Sequence, residues 1–362
     1  MLKHRRRYRC SWNRAVYLSK KINIKMKKAF LIFLILYFSN LFGFQVMYTE
    51  FLENGEEYIA IDIDTTFLSA LTNERLILYA ILVERKHFNK ILFLDNIEAK
   101  GFKDLKIIDG YIILFGQEKT NVYNFSNGKI NLISSIKEGY KFAVKGIGID
   151  NLFYMGNDLK IDVYNHQFIK INEYILEKNL KFIYVNGLGL GAEFVYKKNH
   201  SWLIYYISMQ KLKSKEIPSM GVLVSYENLN SYWVYDEKRQ EIYNKTRKKL
   251  IDLKDDLKKY LKNFNYQLEK LSLINFLATS NYFYAHIELK VKDLPLKEAL
   301  ILYINKEEGI GSFCHIIPIF LIKGIKVNKF GDVVYFNEKS LNYVPKSNFY
   351  ISCSLIENLM SK

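Results

Sequence analysis

The chain has 362 residues, 15% of them aromatic, and a formal net charge of +16. Eleven of the positive charges lie between Lys3 and Lys28, ahead of the first acid at Glu50, so the rest of the chain carries only +5, the difference between 16 and 11. No basic stripe remains on the folded part, which excludes nucleic acid as a partner. The excess of Lys over Arg, with abundant Asn, Ile, Tyr and Phe and only four Pro, is the composition of an AT-rich bacterial genome.

Residues 1–25 form a basic leader containing Arg5-Arg6-Arg7 and no patterned element. A mis-called start ahead of an initiator at Met26 accounts for it; a cytoplasmic tail is the competing reading. Residues 26–44 carry the parts of a secretory signal: Lys27 and Lys28, the apolar run Ala29 to Phe38, and a more polar exit from Ser39 to Gly43. Cleavage would start the mature chain near Phe44 or Gln45. Left uncleaved, residues 29–48 approach the ~20 residues of a spanning helix and would anchor the chain in the inner membrane. The basic flank stays inside in both cases, so residues 45–362 are expected in the periplasm or cell envelope, secreted or anchored.

After residue 45 a repeat emerges. Val122-Tyr123-Asn124 recurs as Val163-Tyr164-Asn165 and as Ile242-Tyr243-Asn244. Tyrosines 79, 123, 164, 205, 243, 303 and 343 follow at spacings of 44, 41, 41, 38, 60 and 40. An aromatic and β-branched run precedes each: Phe67 to Leu71, Ile112 to Gly116, Leu152 to Gly156, Glu193 to Tyr196, Tyr232 to Tyr235, Tyr282 to Tyr284 and Val333 to Phe336. Turn residues such as Gly116-Gln117-Glu118 and Ser126-Asn127-Gly128 separate the runs. Each unit reads as about four short strands.

By this period and strand pattern alone, residues 50–355 resemble β-propeller repeat proteins. The resemblance implies an all-β fold of seven blades of about 40–45 residues, within a domain spanning residues 45–362. The Trp-Asp and Gly-His signatures of the best-known propellers are absent, so no family's site residues carry over. The 60-residue spacing holds one helical pattern, Leu250, Leu257, Phe264 and Leu271, which predicts a helical insertion near 247–270.

The strongest candidate for chemistry is Ile61-Asp62-Ile63-Asp64-Thr65-Thr66. It is similar to the first motif of haloacid-dehalogenase-type phosphatases, which implies Asp62 as nucleophile, Asp64 as general acid and Thr66 in support, beside Mg2+. That family needs an α/β sheet, and Gly331-Asp332 lacks the second acid of its later motif. Strand alternation by itself places Asp62 and Asp64 on one face. Gly187-Leu188-Gly189-Leu190-Gly191 precedes the strand-like Glu193-Phe194-Val195-Tyr196 rather than a helix, so it reads as a turn and not a dinucleotide loop. The histidines at 87, 166, 200, 286 and 315 have no ligand spacing. Cys10 lies in the leader. Cys314 and Cys353 are either buried thiols or a disulfide that would help close the ring. The expected function is therefore a non-enzymatic protein-interaction module with no cofactor or metal. The alternative is a phosphatase-like or other hydrolytic enzyme using Asp62 and Asp64. Acids, His or Arg converging on the propeller axis would favour the enzyme.

Overall fold

A computed structural model describes residues 48–345, apart from 54, 84–88, 147–150, 189–190, 209–210, 220, 229–230, 245–248, 263–265, 280–281, 293–296, 307–308, 320–321 and 329–330. The chain divides into two units. One, Val46–Ser347, holds every described residue. The other, Met1–Gln45 with Asn348–Lys362, lies outside the described residues, and with it the predicted leader, apolar segment and Cys353. No helix among the described residues is long and apolar enough to cross a membrane.

The strands form seven four-stranded antiparallel sheets. Blade 1 is β2 (Tyr58–Ile63), β3 (Phe67–Thr72), β4 (Arg75–Val83) and β5 (Asn89–Glu98). Blade 2 is β6 (Phe102–Ile108), β7 (Tyr111–Gly116), β8 (Thr120–Ser126) and β9 (Lys129–Ile136). Blade 3 is β10 (Phe142–Lys145), β11 (Phe153–Gly156), β12 (Lys160–Tyr164) and β13 (Lys170–Ile175). Blade 4 is β14 (Lys181–Leu188), β15 (Gly191–Lys198), β16 (Ser201–Ser208) and β17 (Lys211–Pro218). Blade 5 is β18 (Val222–Asn228), β19 (Ser231–Asp236), β20 (Glu241–Asn244) and β21 (Lys249–Asp252). The helix α1 (Leu253–Lys262) follows. Blade 6 is β22 (Leu268–Ala278), β23 (Tyr282–Val291), β24 (Glu298–Lys306) and β25 (Gly309–Ile319). Blade 7 combines β26 (Gly324–Val327), β27 (Val333–Phe336) and β28 (Ser340–Val344) with β1 (Tyr48–Phe51) from the other end of the chain. The first strands of blades 1 to 6 touch in order, and β2 meets β26 of blade 7. The fold is a seven-bladed β-propeller.

Burial explains the two repeated sequence elements. Second strands lie between neighbouring blades and are buried on both faces: the first six residues of β15 and of β23 are all buried, Glu193 and His286 among them. All seven predicted runs fall on second strands, and all seven tyrosines fall on third strands. Six of those tyrosines are buried, and Tyr243 is half-buried. Their hydroxyls find partners: Tyr123 accepts from Asn121 Nδ2 (2.9 Å), Tyr164 meets the Tyr140 hydroxyl (2.7 Å), and Tyr79 reaches Glu50. The Asn127-Gly128 turn between β8 and β9 has φ of 56° and 76°, and Asp109-Gly110 between β6 and β7 has 52° and 80°. These paired positive φ values are the conformation that two-residue hairpins require.

The period also carries a β-bulge. Opposite the step into the tyrosine, the outer strand has one extra residue in four blades: Leu94 in blade 1, Ile133 in blade 2, Ile171 in blade 3 and Cys314 in blade 6. A bulge at a sheet edge breaks the ladder there and adds twist.

Seams between blades are apolar. Leu71, Leu76 and Leu78 of blade 1 pack on Leu105, Ile107 and Leu114 of blade 2, and equivalent clusters join later blades. Ring closure is a backbone ladder, Tyr48↔Tyr343 to Phe51↔Ser340. Leu52 N then donates to Lys339 O (3.0 Å) and Tyr58 N to Glu338 O (2.9 Å) as the chain passes from blade 7 into blade 1. The Cys314–Cys353 bond that sequence analysis linked to closure lies outside the described residues, as does the Cys314 side chain.

The helix is shorter than 247–270. Residues 249–252 are the outer strand of blade 5, and the Asp252 carboxylate caps the helix by accepting from Asp255 N (2.8 Å). Acids Asp255 and Asp256 in the first turn and Lys259 and Lys262 in the last suit the helix dipole. The seven-residue stripe crosses three elements: Leu250 is 53% exposed on β21, Leu257 is buried in α1 and Leu271 is buried on β22, while Phe264 lies outside the described residues. The packed face is Leu253, Leu257 and Leu261, at helical spacing. It joins Trp233 and Ile242 of blade 5 to Leu271, Phe283 and Ile301 of blade 6, so α1 seals a seam between two blades. Part of the 60-residue spacing is therefore longer strands, β22 with 11 residues and β23 with 10.

Candidate functional site

The inner strands put a set of charged residues around the axis. Asp62 on β2 is 3% exposed and accepts from the backbone amide of Ile107 on β6 (2.8 Å). Lys106, the equivalent residue of blade 2, brings its ammonium to 3.0 Å from Asp62 Oδ2, while its own side chain is 44% exposed. The Asp62 charge raises the Lys106 pKa against the opposing effect of burial. Asp62 thus ties blade 1 to blade 2, and Lys106 keeps part of its side chain exposed.

Three more residues share that wall. Asp104, also on β6, is exposed at its edge, yet desolvation by surrounding protein holds its carboxyl above the usual carboxylate range. Its bond from Leu105 N (2.8 Å) and the charge of Lys326 act the other way, and the Asp62 charge adds to the rise. Lys326 is half-buried on β26 of blade 7. Tyr184, 36% exposed on β14 of blade 4, has its phenol pKa raised by burial, and the charge of Lys106 and a bond to Ser225 lower it.

At one mouth of the channel, turns of blades 7, 1 and 2 enclose a cleft of about 430 Å³ lined by Asp64, Thr65, Thr66, Asp109, Gly110 and Asn328. Asp64 Oδ1 accepts from Thr66 N (2.6 Å) and Phe67 N (2.7 Å), which shapes the turn from β2 to β3. Asn328 Nδ2 donates to Asp64 O (3.1 Å) and to Asp332 Oδ2 (2.9 Å). Tyr284 of blade 6 donates to Gly331 O (3.0 Å), and Lys145 of blade 3 pairs with Asp109. These bonds lace blades 6, 7, 1, 2 and 3 together along the inner edge.

Asp62 and Asp64 are therefore near each other but differently employed, one across a seam and one within a turn. The α/β frame that the phosphatase motif needs is not the frame they occupy. The other sequence candidates stay apart. His166 and His200 are exposed in turns of separate blades, and His87 and the His315 side chain lie outside the described residues. His286 is buried in blade 6, with Nε2 3.1 Å from Glu298 Oε2. Burial lowers its pKa, and Glu298 opposes that shift. Among the described residues no group of three or more His, Cys, Asp or Glu is placed to hold a metal ion. Gly187 and Gly191 belong to the hairpin β14–β15, and a Cβ at Gly187 would collide with the Lys145 carbonyl oxygen of the neighbouring inner strand. The axial residues that sequence analysis missed share a signal: a lone charge flanked by apolar residues just before a second-strand run, as in Leu105-Lys106-Ile107 and Ile325-Lys326-Val327.

A second feature is on the outside. Outer strands of blades 1 to 3 expose Leu92, Phe93, Leu132, Ile133, Ile171 and Ile175. Strands β5 and β9 touch, and Ile130 N donates to Asp95 Oδ2 (2.8 Å) between them. Blade 4 differs: its outer strand exposes Lys211, Lys213 and Lys215 and ends at Pro218.

No protein-family model matches the sequence. No curated protein matches it. Solved structures match by fold. The β-propeller domain of Myceliophteria thermophila Cps50 (Swd1) is similar with a TM-score of 0.54 at 10% identity, covering 81% of this chain and 97% of that one. A virginiamycin B lyase from Staphylococcus aureus matches with a TM-score of 0.49 at 12% identity, over 82% and 98% of the two chains. Kluyveromyces lactis Hsv2 matches at 0.49 and 9% identity, over 78% and 90%. At these identities the likeness extends to the propeller fold alone.

Proposed function

We propose that this chain is a propeller of the bacterial envelope, exported or membrane-tethered, that docks a protein partner on the outer edges of blades 1 to 3 and performs no chemistry of its own. The observation that carries the reading is the contrast between edges. Large apolar side chains are exposed on three consecutive outer strands, while blade 4 guards its edge with alternating lysines and a proline. Added β-strand pairing is disfavoured there, because Leu94, Ile133 and Ile171 are bulged and break the edge ladder. The partner therefore binds by side-chain contact. Export rests on the signal-like residues 26–44. Cleavage near Phe44 or Gln45 leaves the closing strand Tyr48–Phe51 intact.

The test is a pull-down with the exported form from cross-linked envelopes. Leu92→Glu, Ile133→Glu and Ile171→Glu should each lose a protein that wild type and Lys213→Glu retain. Retention by all three variants would sink the docking face, and a cytosolic fraction for the wild-type chain would sink export. The hydrolytic alternative gains from the acids meeting at the axis. It loses more, because the bonds of Asp62 and Asp64 build the seam and the turn.

A further inference from the structure

Docking at the outer edge leaves the cleft at the axial mouth without a use. We propose that this cleft receives a primary ammonium group on an aliphatic stem, held by the Asp64 carboxylate.

The cleft encloses about 430 Å³ between turns of three blades, and its walls are fixed before any ligand arrives. Asp64 Oδ1 accepts from Thr66 N (2.6 Å) and Phe67 N (2.7 Å), so the carboxylate cannot swing away without unpairing two amides. From blade 7, Asn328 Nδ2 donates to Asp64 O (3.1 Å) and to Asp332 Oδ2 (2.9 Å), while its Oδ1 accepts from Asp332 N (2.9 Å). On the blade 2 side, Asp109 and Gly110 hold the positive φ values of a two-residue hairpin. A site preformed in this way costs little ordering entropy when it fills.

The sign of the ligand follows from the charges that line the cleft. None of the described lining residues is cationic, and two are carboxylates, Asp64 and Asp109. Lys145 pairs with Asp109. Asp64 has no ion pair among the described residues, and its Oδ2 meets no donor among them. One negative charge is therefore left uncompensated, and it repels an anion. A divalent metal ion needs several such oxygens, and no group of three or more acids, His or Cys is placed to hold one among the described residues. A guanidinium pairs best with both oxygens of a carboxylate, but Oδ1 is already taken by two amides. A compact ammonium needs only Oδ2 and two further acceptors. Thr65 and Thr66 line the same cleft, and their hydroxyls have no partner among the described residues. Ile63, Phe67 and Val327 add the apolar wall that suits an aliphatic stem.

The axial mouth and the outer edges are different surfaces, so either reading can fail without the other. Calorimetry and saturation-transfer NMR on the full chain at low salt test the proposal with two probes. Pentylamine stands for a free amine, and a blocked glycine–lysine–glycine peptide for a lysine side chain of another protein. Saturable binding of at least one probe is expected. Peptide binding tighter than amine binding names a protein lysine as the source; comparable or weaker peptide binding names a free amine. Asp64→Asn keeps the oxygen that accepts from Thr66 N and Phe67 N, so it should fold as the wild type does and bind about tenfold more weakly or worse. Asp255→Asn, on α1, should bind as the wild type does. Pentanol, the uncharged counterpart, should bind at least about tenfold more weakly than pentylamine. Failure of both probes to bind saturably overturns the proposal. So does equal binding of pentanol, binding that Asp64→Asn leaves intact, or binding that Asp255→Asn weakens as much.

Discussion

Replacing Asp62 separates a structural carboxylate from a catalytic one. In Asp62→Ala the Ile107 amide loses its acceptor, at about 1–3 kcal/mol for a buried donor. The ion pair with Lys106 also goes, but that lysine is nearly half exposed and regains water, so its share is about 1 kcal/mol. The expected loss is about 2–4 kcal/mol. Asp62→Asn keeps an oxygen for the Ile107 amide and should lose only about 1–2 kcal/mol. Lys106→Met leaves a buried carboxylate without its cation and should be the worst single change, near the 3–5 kcal/mol typical of a broken buried pair. Adding Asp62→Asn to it should then restore stability, because the uncompensated charge is gone. Urea unfolding followed by tryptophan fluorescence reads these differences as midpoints at constant slope. If Asp62→Asn leaves the midpoint unchanged while abolishing a phosphatase activity of the wild-type chain, the seam argument is wrong and the hydrolytic reading stands.

Leu257→Ala should cost about 2–5 kcal/mol, because the residue is fully buried between blades 5 and 6, and Asp252→Ala about 1 kcal/mol through loss of the cap; thermal melts rank the two. Deleting α1 outright should expose the apolar seam beneath it and cause aggregation, read by light scattering, whereas a partner-docking helix would leave melting unchanged. Deleting Tyr48–Phe51 should open the ring and broaden the unfolding transition in calorimetry while far-ultraviolet circular dichroism stays β-rich. His286 sets a pH dependence: burial holds its folded pKa below the unfolded value near 6.5, so its contribution is full above about pH 6.5 and is lost as pH falls toward the folded pKa. His286→Gln should flatten that part of the stability curve measured between pH 7 and 5.

Blade number and strand order were legible because burial on both faces makes second strands continuous apolar runs, and because a tyrosine on each third strand keeps the count. Asn127-Gly128 was legible because a two-residue hairpin needs those residue types. The helix ends were not: Leu250, Leu257 and Leu271 keep step at seven residues although a strand, a helix and another strand carry them. The capping Asp252 was the better boundary signal. Ring closure was hidden because Tyr48–Phe51 pairs with the far end of the chain and has no local partner to repeat against. The axial set was hidden for the same reason. Asp62 and Lys106 meet only once blades 1 and 2 stand side by side.

The closing strand has a consequence for how the ring is made. Tyr48 and Tyr343 are about 295 residues apart, the difference of their numbers, whereas the hairpins within a blade close over ~10. Loop-closure entropy grows by about 0.6 kcal/mol per doubling, so this pairing starts some 3 kcal/mol behind any hairpin. Long-range pairing of this kind slows folding. During synthesis this strand is made before the blades and finds its place last, so β28 waits as a bare sheet edge until it returns. That interval, rather than the finished ring, is when the chain is most open to proteolysis, to capture by a folding helper, and to exchange of closing strands between two copies.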